Sequence, residues 1–182
     1  ASGAFFESNT IVRYLAAAHA PCPLSDGTPA GLARASQWMD LCLSGNDFTP
    51  SFGTVNHWLI DDLVRTPKER WDEELVGRVR KYHAELEGAL APFEAHLGST
   101  GARAHLAGRA FSAADVALGV ELLRLGMCSG LARREGLVRA SVLAPGRFPA
   151  LYGPGPAGAF RDSYFGRLLA RPAFRAGAWL HE

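Results

Sequence analysis

From Trp71 to Leu97 apolar side chains return every three or four residues, at Trp71, Leu75, Val79, Tyr82, Leu86, Leu90, Phe93 and Leu97. Glu73, Glu74, Arg78, Lys81, Glu85 and Glu87 fill the positions between. A period near 3.6 predicts one long amphipathic helix with a buried stripe, and a stripe of that length requires partner helices. Thr66 is a candidate N-cap, with Pro67 in the first helical position and Glu69 completing a capping box. Pro92 removes one backbone donor, so a kink or a fresh short helix is expected there.

Weaker periodicities flank this segment. Ile11, Tyr14, Leu15 and Ala18 share a helical spacing behind Ser8, whose hydroxyl is placed to cap the first turn, and Pro21, Pro23, Gly27 and Pro29 then mark a loop. Leu32, Ala35, Trp38, Met39, Cys42 and Leu43 predict a second helix, broken near Pro50 and resuming through Val55, Leu59 and Leu63. Further on, Ser112 and Asp115 stand three apart ahead of Leu118, Leu122 and Leu125. That pattern predicts a capping box, with Phe111 and Val116 as its staple, opening a helix poor enough in charge to be the central buried one. Gly119 and Gly126 in this helix cost stability unless they allow a close contact. The Gly/Pro-rich stretch 144–158 reads as an irregular loop, and a last helix is expected from about Asp162 to Ala170.

Composition sharpens the fold class. Alanine and leucine outnumber valine and isoleucine 53 to 11, which favours an all-α chain. The 182 residues carry 19 Lys and Arg against 18 Asp and Glu, leaving no basic surface for nucleic acid or an anionic membrane. No apolar run reaches the ~18 residues of a membrane span, and residues 1–15 lack the pattern of a signal peptide. Cys22, Cys42 and Cys128 are odd in number and lack metal-ligand spacing, so a reducing, cytoplasmic setting and ordinary small-residue roles are expected.

Isolated chemistry is sparse. His57 with Asp61 and His83 with Glu87 are four apart, each pair expected on a solvated helix face rather than at a metal. Gly153-Pro154-Gly155-Pro156 lacks the amide donors of a phosphate cradle. The informative segment is Glu7-Ser8-Asn9-Thr10-Ile11-Val12-Arg13-Tyr14-Leu15-Ala16. A helix N-terminus with free amides and a hydroxyl suits a carboxylate, and the adjacent anion suits an amine.

That segment resembles the Glu-Ser-x-x-Ile-x-x-Tyr-Leu-Ala turn of glutathione transferases. Arg34-Ala35-Ser36-Gln37-Trp38-Met39-Asp40 resembles the opening of that family's helical domain, Arg65-Thr66-Pro67 the approach to its second long helix, and residues 106–117 its capping-box region. Arg171-Pro172-Ala173-Phe174 is similar to the closing motif. The resemblance implies an all-α bundle of the glutathione transferase C-terminal type in residues 23–182, with an insertion near 144–158. Residues 1–22 would be a remnant strand and helix of the thioredoxin-like half.

Carried onto this chain, the resemblance makes Glu7 the partner of the glutathione ammonium and Ser8 a partner of its γ-glutamyl carboxylate. Phe48, Phe52 and Trp58 become aromatic walls for a small hydrophobic electrophile, and Arg34 or Ser36 could meet glutathione across a homodimer. The chain is expected to begin at about the last strand of the thioredoxin-like half, so the thiolate-activating residue is not among these positions and no catalytic residue is nominated. Glutathione is implied as co-substrate, and no metal. The implied activity of the complete protein is transfer of the glutathione thiol to that electrophile; the alternative is a non-catalytic helical interaction module or an inactive, truncated homologue.

Overall fold

A computed structural model describes residues 7–19, 22, 24–43, 51–101, 104–138, 146–153 and 160–177. The described elements are α1 (Ser8–Ala18), α2 (Pro29–Leu43), α3 (Phe52–Ile60), α4 (Glu73–Thr100), α5 (Ala113–Arg134), α6 (Pro149–Tyr152), α7 (Tyr164–Leu169) and α8 (Pro172–Gly177). A π-helical turn, Asp61–Arg65, continues α3, and a 3₁₀ turn, Lys68–Arg70, precedes α4. The described residues hold only isolated β-bridges, at Cys22–Ser25 and His105–Gly108. The expected strand of residues 2–6 lies outside them.

α5 is the centre of the bundle, as its low charge implied. Leu118, Leu122, Leu125 and Ala132 are fully buried, and the helix packs against α1, α2, α3 and α7. Ser112 and Asp115 form the expected capping box, the Ser112 N–H donating to Asp115 Oδ2 at 2.7 Å. Gly119 earns its place by proximity: a Cβ there would lie 2.7 Å from the Phe174 ring and 3.0 Å from Leu168. The helix ends in a Schellman turn in which Gly136, at φ 72°, lets Leu137 N–H donate to the Ala132 carbonyl at 2.9 Å.

The stripe of α4 forms with two changes, at Trp71 and at Tyr82, which is only half-buried while its neighbour His83 is buried. Leu75, Val79, Leu86, Leu90, Phe93 and Leu97 are buried, whereas Trp71 precedes the helix and donates from Nε1 to the Thr66 carbonyl at 3.1 Å. Thr66 is therefore not the N-cap. Asp72 is, accepting from the Leu75 amide at 2.8 Å, because it directly precedes the unbroken helical run whereas Thr66-Pro67 leads into the 3₁₀ turn. Pro92 neither ends the helix nor starts another, since α4 continues to Thr100. Pro92 and Gly88 are both exposed, so the carbonyl freed four residues back has water to bond.

α6 departs from the expected loop, whereas α7 falls within the helix expected from about Asp162 to Ala170, although α8 follows it. α6 forms inside the Gly/Pro-rich stretch because Glu94 of α4 accepts from the Ala150 and Leu151 amides at 2.7 and 2.9 Å, capping it from a distance. α7 starts at Tyr164, capped by Ser163 onto the Gly166 amide at 3.1 Å. α3 restarts after Pro50 with Ser51 as its cap, as the proline implied, and Pro50 itself lies outside the described residues. No described helix is long and apolar enough to cross a membrane.

Candidate functional site

α1 begins with an unusual residue. Glu7 adopts φ 70° and ψ 119°, and among the described residues it is the only non-glycine with a positive φ. Such a conformation costs about 1–3 kcal/mol and persists where the surroundings or a function hold it. Glu7, not Ser8, occupies the N-cap position, and its side chain makes no capping bond. Ser8 already has helical geometry, so its hydroxyl is not spent on the cap; this corrects the expected arrangement. The Glu7 carbonyl accepts from Ile11 N–H at 3.0 Å, and the Ser8, Asn9 and Thr10 amides have no partner among the described residues. Both Glu7 and Ser8 are exposed. Three N–H dipoles, a hydroxyl and a carboxylate thus stand together at an open helix end, complementary to a molecule carrying both a carboxylate and an ammonium group.

The frame beneath that turn was missed by the sequence reading. Asn9 Nδ2 donates to the Met39 carbonyl at 3.5 Å, Arg13 Nε donates to Ser36 Oγ at 3.3 Å, and Arg13 forms an ion pair with Asp40. Asn9 and Arg13, four apart, were the available signal: a polar pair on one face of an otherwise apolar helix. Ser36 is engaged with Arg13, and Arg34 lies 3.7 Å from Asp26.

Of the three expected aromatic positions, Phe52 and Trp58 are described. Phe52 is 1% exposed and packs on Phe93 with ring centroids 6.4 Å apart. Trp58 is half-buried against Tyr82 at 5.7 Å, and Phe48 lies outside the described residues. A cleft of about 490 Å³ beside the start of α2 is lined by Cys22, Asp26, Arg34, Arg109 and Phe111, among others, and by neither Phe52 nor Trp58.

Two further clusters are buried. Asp115, fully buried, accepts from Leu106 N–H at 3.0 Å, from Ser112 N–H and Oγ at 2.7 and 2.8 Å, and from the Tyr164 hydroxyl at 2.8 Å, with His105 Nδ1 3.4 Å away. Burial pushes its carboxyl up, but nearby His105, the Leu106 amide and Ser112 outweigh this and hold it below the ordinary 3.8. On the other side of α5, Asn56 Nδ2 donates to Glu121 Oε2 at 2.7 Å, and Arg124 donates to Glu121 Oε1 at 2.8 Å. The bonds to Asp115 and from Asn56 to Glu121 join separate elements, while Asn56 Oδ1 and His105 Nδ1 have no hydrogen-bond partner among the described residues.

The His83–Glu87 expectation is overturned: His83 is only 6% exposed and its Nε2 has no hydrogen-bond partner among the described residues. It falls on the buried side of α4, between Val79 and Leu86. His57 is exposed, with Nε2 3.5 Å from Asp61. Among the described residues no His, Cys, Asp and Glu group is arranged to hold a metal ion. Cys42 and Cys128 are buried free thiols and Cys22 is a half-buried one; burial raises Cys128 to about 11 despite the nearby Arg124.

No protein-family model matches the chain. Among curated proteins it is 30% identical over 113 residues to glutathione S-transferase GstB of Escherichia coli strain K12, an alignment covering 62% of this chain and 49% of that protein. It thus spans about half the length of the curated relative it matches. Among solved structures, the theta class glutathione S-transferase of Xanthomonas axonopodis pv. citri with glutathione bound superposes with a TM-score of 0.62 at 27% identity, covering 96% of this chain and 73% of that one. A glutathione transferase of Burkholderia graminis, with two glutathione molecules bound per subunit, shares the fold with a TM-score of 0.67 at 23% identity, covering 96% and 59%.

Proposed function

We propose that this chain is a glutathione S-transferase homologue, and that the start of α1 is the γ-glutamyl half of a glutathione site within a protein that transfers the glutathione thiol to a small hydrophobic electrophile. The observation that carries this reading is the strained, uncapped turn at Glu7–Ser8. The Ser8 hydroxyl and the first-turn amides bind the γ-glutamyl carboxylate, and Glu7 binds its ammonium. The Arg13–Asp40 pair and the Asn9 bond hold the turn on α2, so the half-site is positioned before the ligand arrives.

In the reaction the thiolate sulfur bonds to the electrophilic carbon. In a substitution the leaving group departs with its electron pair; in an addition the adjacent carbon takes up a proton. This chain's part is to bind and orient glutathione, and no thiolate-activating residue is assigned to it. In the same reading Phe48 and Trp58 line the electrophile side, with Phe52 supporting from the core, and the complete protein pairs as a homodimer.

The test is glutathione binding to this chain by thermal shift and calorimetry. Millimolar glutathione and γ-glutamylcysteine are expected to raise the melting temperature, whereas cysteinylglycine is not. Glu7→Gln and Ser8→Ala are each expected to weaken binding by roughly tenfold, the effect of losing a charge-assisted bond. No shift with glutathione in the folded wild-type chain, or undiminished affinity in both variants, overturns the half-site.

A further inference from the structure

Halfway along α4 lies a second group of polar side chains, sharing no residue with the start of α1. Arg80, His83, Ala84 and Glu87 are spaced three, one and three apart, so they occupy a single helix face. That face forms one wall of a cleft of about 620 Å³. The Schellman turn after α5 supplies Gly136, Leu137 and Val138, and Arg147 completes the lining.

Each guanidinium is anchored by one edge only. Arg80 donates from Nε to the Leu137 carbonyl at 3.1 Å, and Arg147 pairs through Nη2 with Glu87. The remaining N–H groups of both make no bond among the described residues. His83 is held neutral at neutral pH, because burial and the charge of Arg147 both lower its affinity for a proton. Among the described lining residues, two cations therefore stand against the single carboxylate of Glu87, an excess of one positive charge. Beside that charge, Ala84, Leu137 and Val138 present an apolar surface.

We propose that this cleft binds a small organic monoanion, with its carboxylate between Arg80 and Arg147 and its hydrocarbon body against Ala84, Leu137 and Val138. A monocarboxylate matches the single excess charge and the planar guanidinium forks. Inorganic phosphate, mostly dianionic above neutrality, exceeds that charge and leaves the apolar wall bare. The combination of an apolar pocket with a few converging polar groups is that of a small-molecule site.

Calorimetry on the whole chain at low salt tests this with octanoate as probe, 1-octanol as the uncharged comparator and phosphate as the head group alone. Octanoate is expected to bind saturably, with 1-octanol and phosphate at least ~10-fold weaker. Replacing both Arg80→Gln and Arg147→Gln is expected to weaken octanoate ~10-fold or more and to leave 1-octanol unchanged. Glu87→Gln removes the competing carboxylate and is expected to tighten octanoate several-fold, a gain that a merely structural role of the Arg147 pair does not produce. Ser8→Ala leaves octanoate binding unchanged, which separates this site from the glutathione half-site. Equal affinity for octanoate and 1-octanol, undiminished octanoate binding in the double variant, no tightening in Glu87→Gln, or no saturation below about 10 mM each overturns the assignment.

Discussion

Glu7 and Asp115 are both carboxylates at helix starts, one at the N-cap of α1 and the other three positions in from the N-cap of α5, yet their surroundings give them opposite uses. Glu7 is exposed, strained and makes no capping bond, so its end of α1 is open to a ligand. Asp115 is saturated by donors from the 105–112 loop and α7, so its end of α5 is closed. Ser112→Ala removes one of those donors and the cap, and is expected to lower stability by ~1 kcal/mol, read as a reduced urea midpoint at unchanged slope. Ser8→Ala is expected to leave the midpoint within about 0.5 kcal/mol, because that hydroxyl caps nothing in the folded chain. Both serines precede apolar helical runs, which is why the sequence assigns each of them a cap. Only the backbone angle at Glu7 tells them apart, and no residue preference reports it.

At the scale of elements, the long helices follow from spacing and the short ones from distant partners. α4 and α5 were readable because an apolar period sustained over many residues has few alternative meanings. α6 was not, since Pro149-Ala150-Leu151-Tyr152 is too short for a period and depends on the Glu94 carboxylate, more than fifty positions earlier in the chain. α7 makes the same point through Gly166. Helix propensity alone expects Gly166→Ala to gain up to ~1 kcal/mol. A Cβ at that position, however, would lie 1.9 Å from the Phe160 carbonyl oxygen, which is backbone and cannot swing aside. Gly166→Ala is therefore expected to lose about 3 kcal/mol in urea unfolding, with loss of the close turn between Phe160 and α7 as the cause.

Across the whole molecule, the pH dependence of stability separates its two ends. His83 binds protons less readily folded than unfolded, so the unfolded state takes up more protons below its ordinary 6.5 and stability falls as pH drops through that region. Arg80, Glu87 and Arg147 surround it; a neutral His83→Gln variant is expected to flatten the curve between about pH 7 and 5. Asp115 has a depressed folded value, so its contribution is complete above the unfolded 3.8 and is lost only as pH falls below that towards the folded value. Urea midpoints measured across pH 3–7 check both limbs, and a profile for His83→Gln that superposes on the wild type across pH 5–7 contradicts the first. The amino-acid sequence by itself determined the all-α class, the α4 stripe, the α5 cap and the Glu7-Ser8 motif, because each is written in residues within one or two helical turns of one another. The tertiary structure alone decided that Glu7 rather than Ser8 holds the N-cap, that His83 is buried and that Phe52 packs in the core on Phe93. It also decided that Arg147 meets Glu87 across the end of α5. Those outcomes depend on which helix face meets which neighbour, and contacts between residues tens of positions apart leave no local pattern to read.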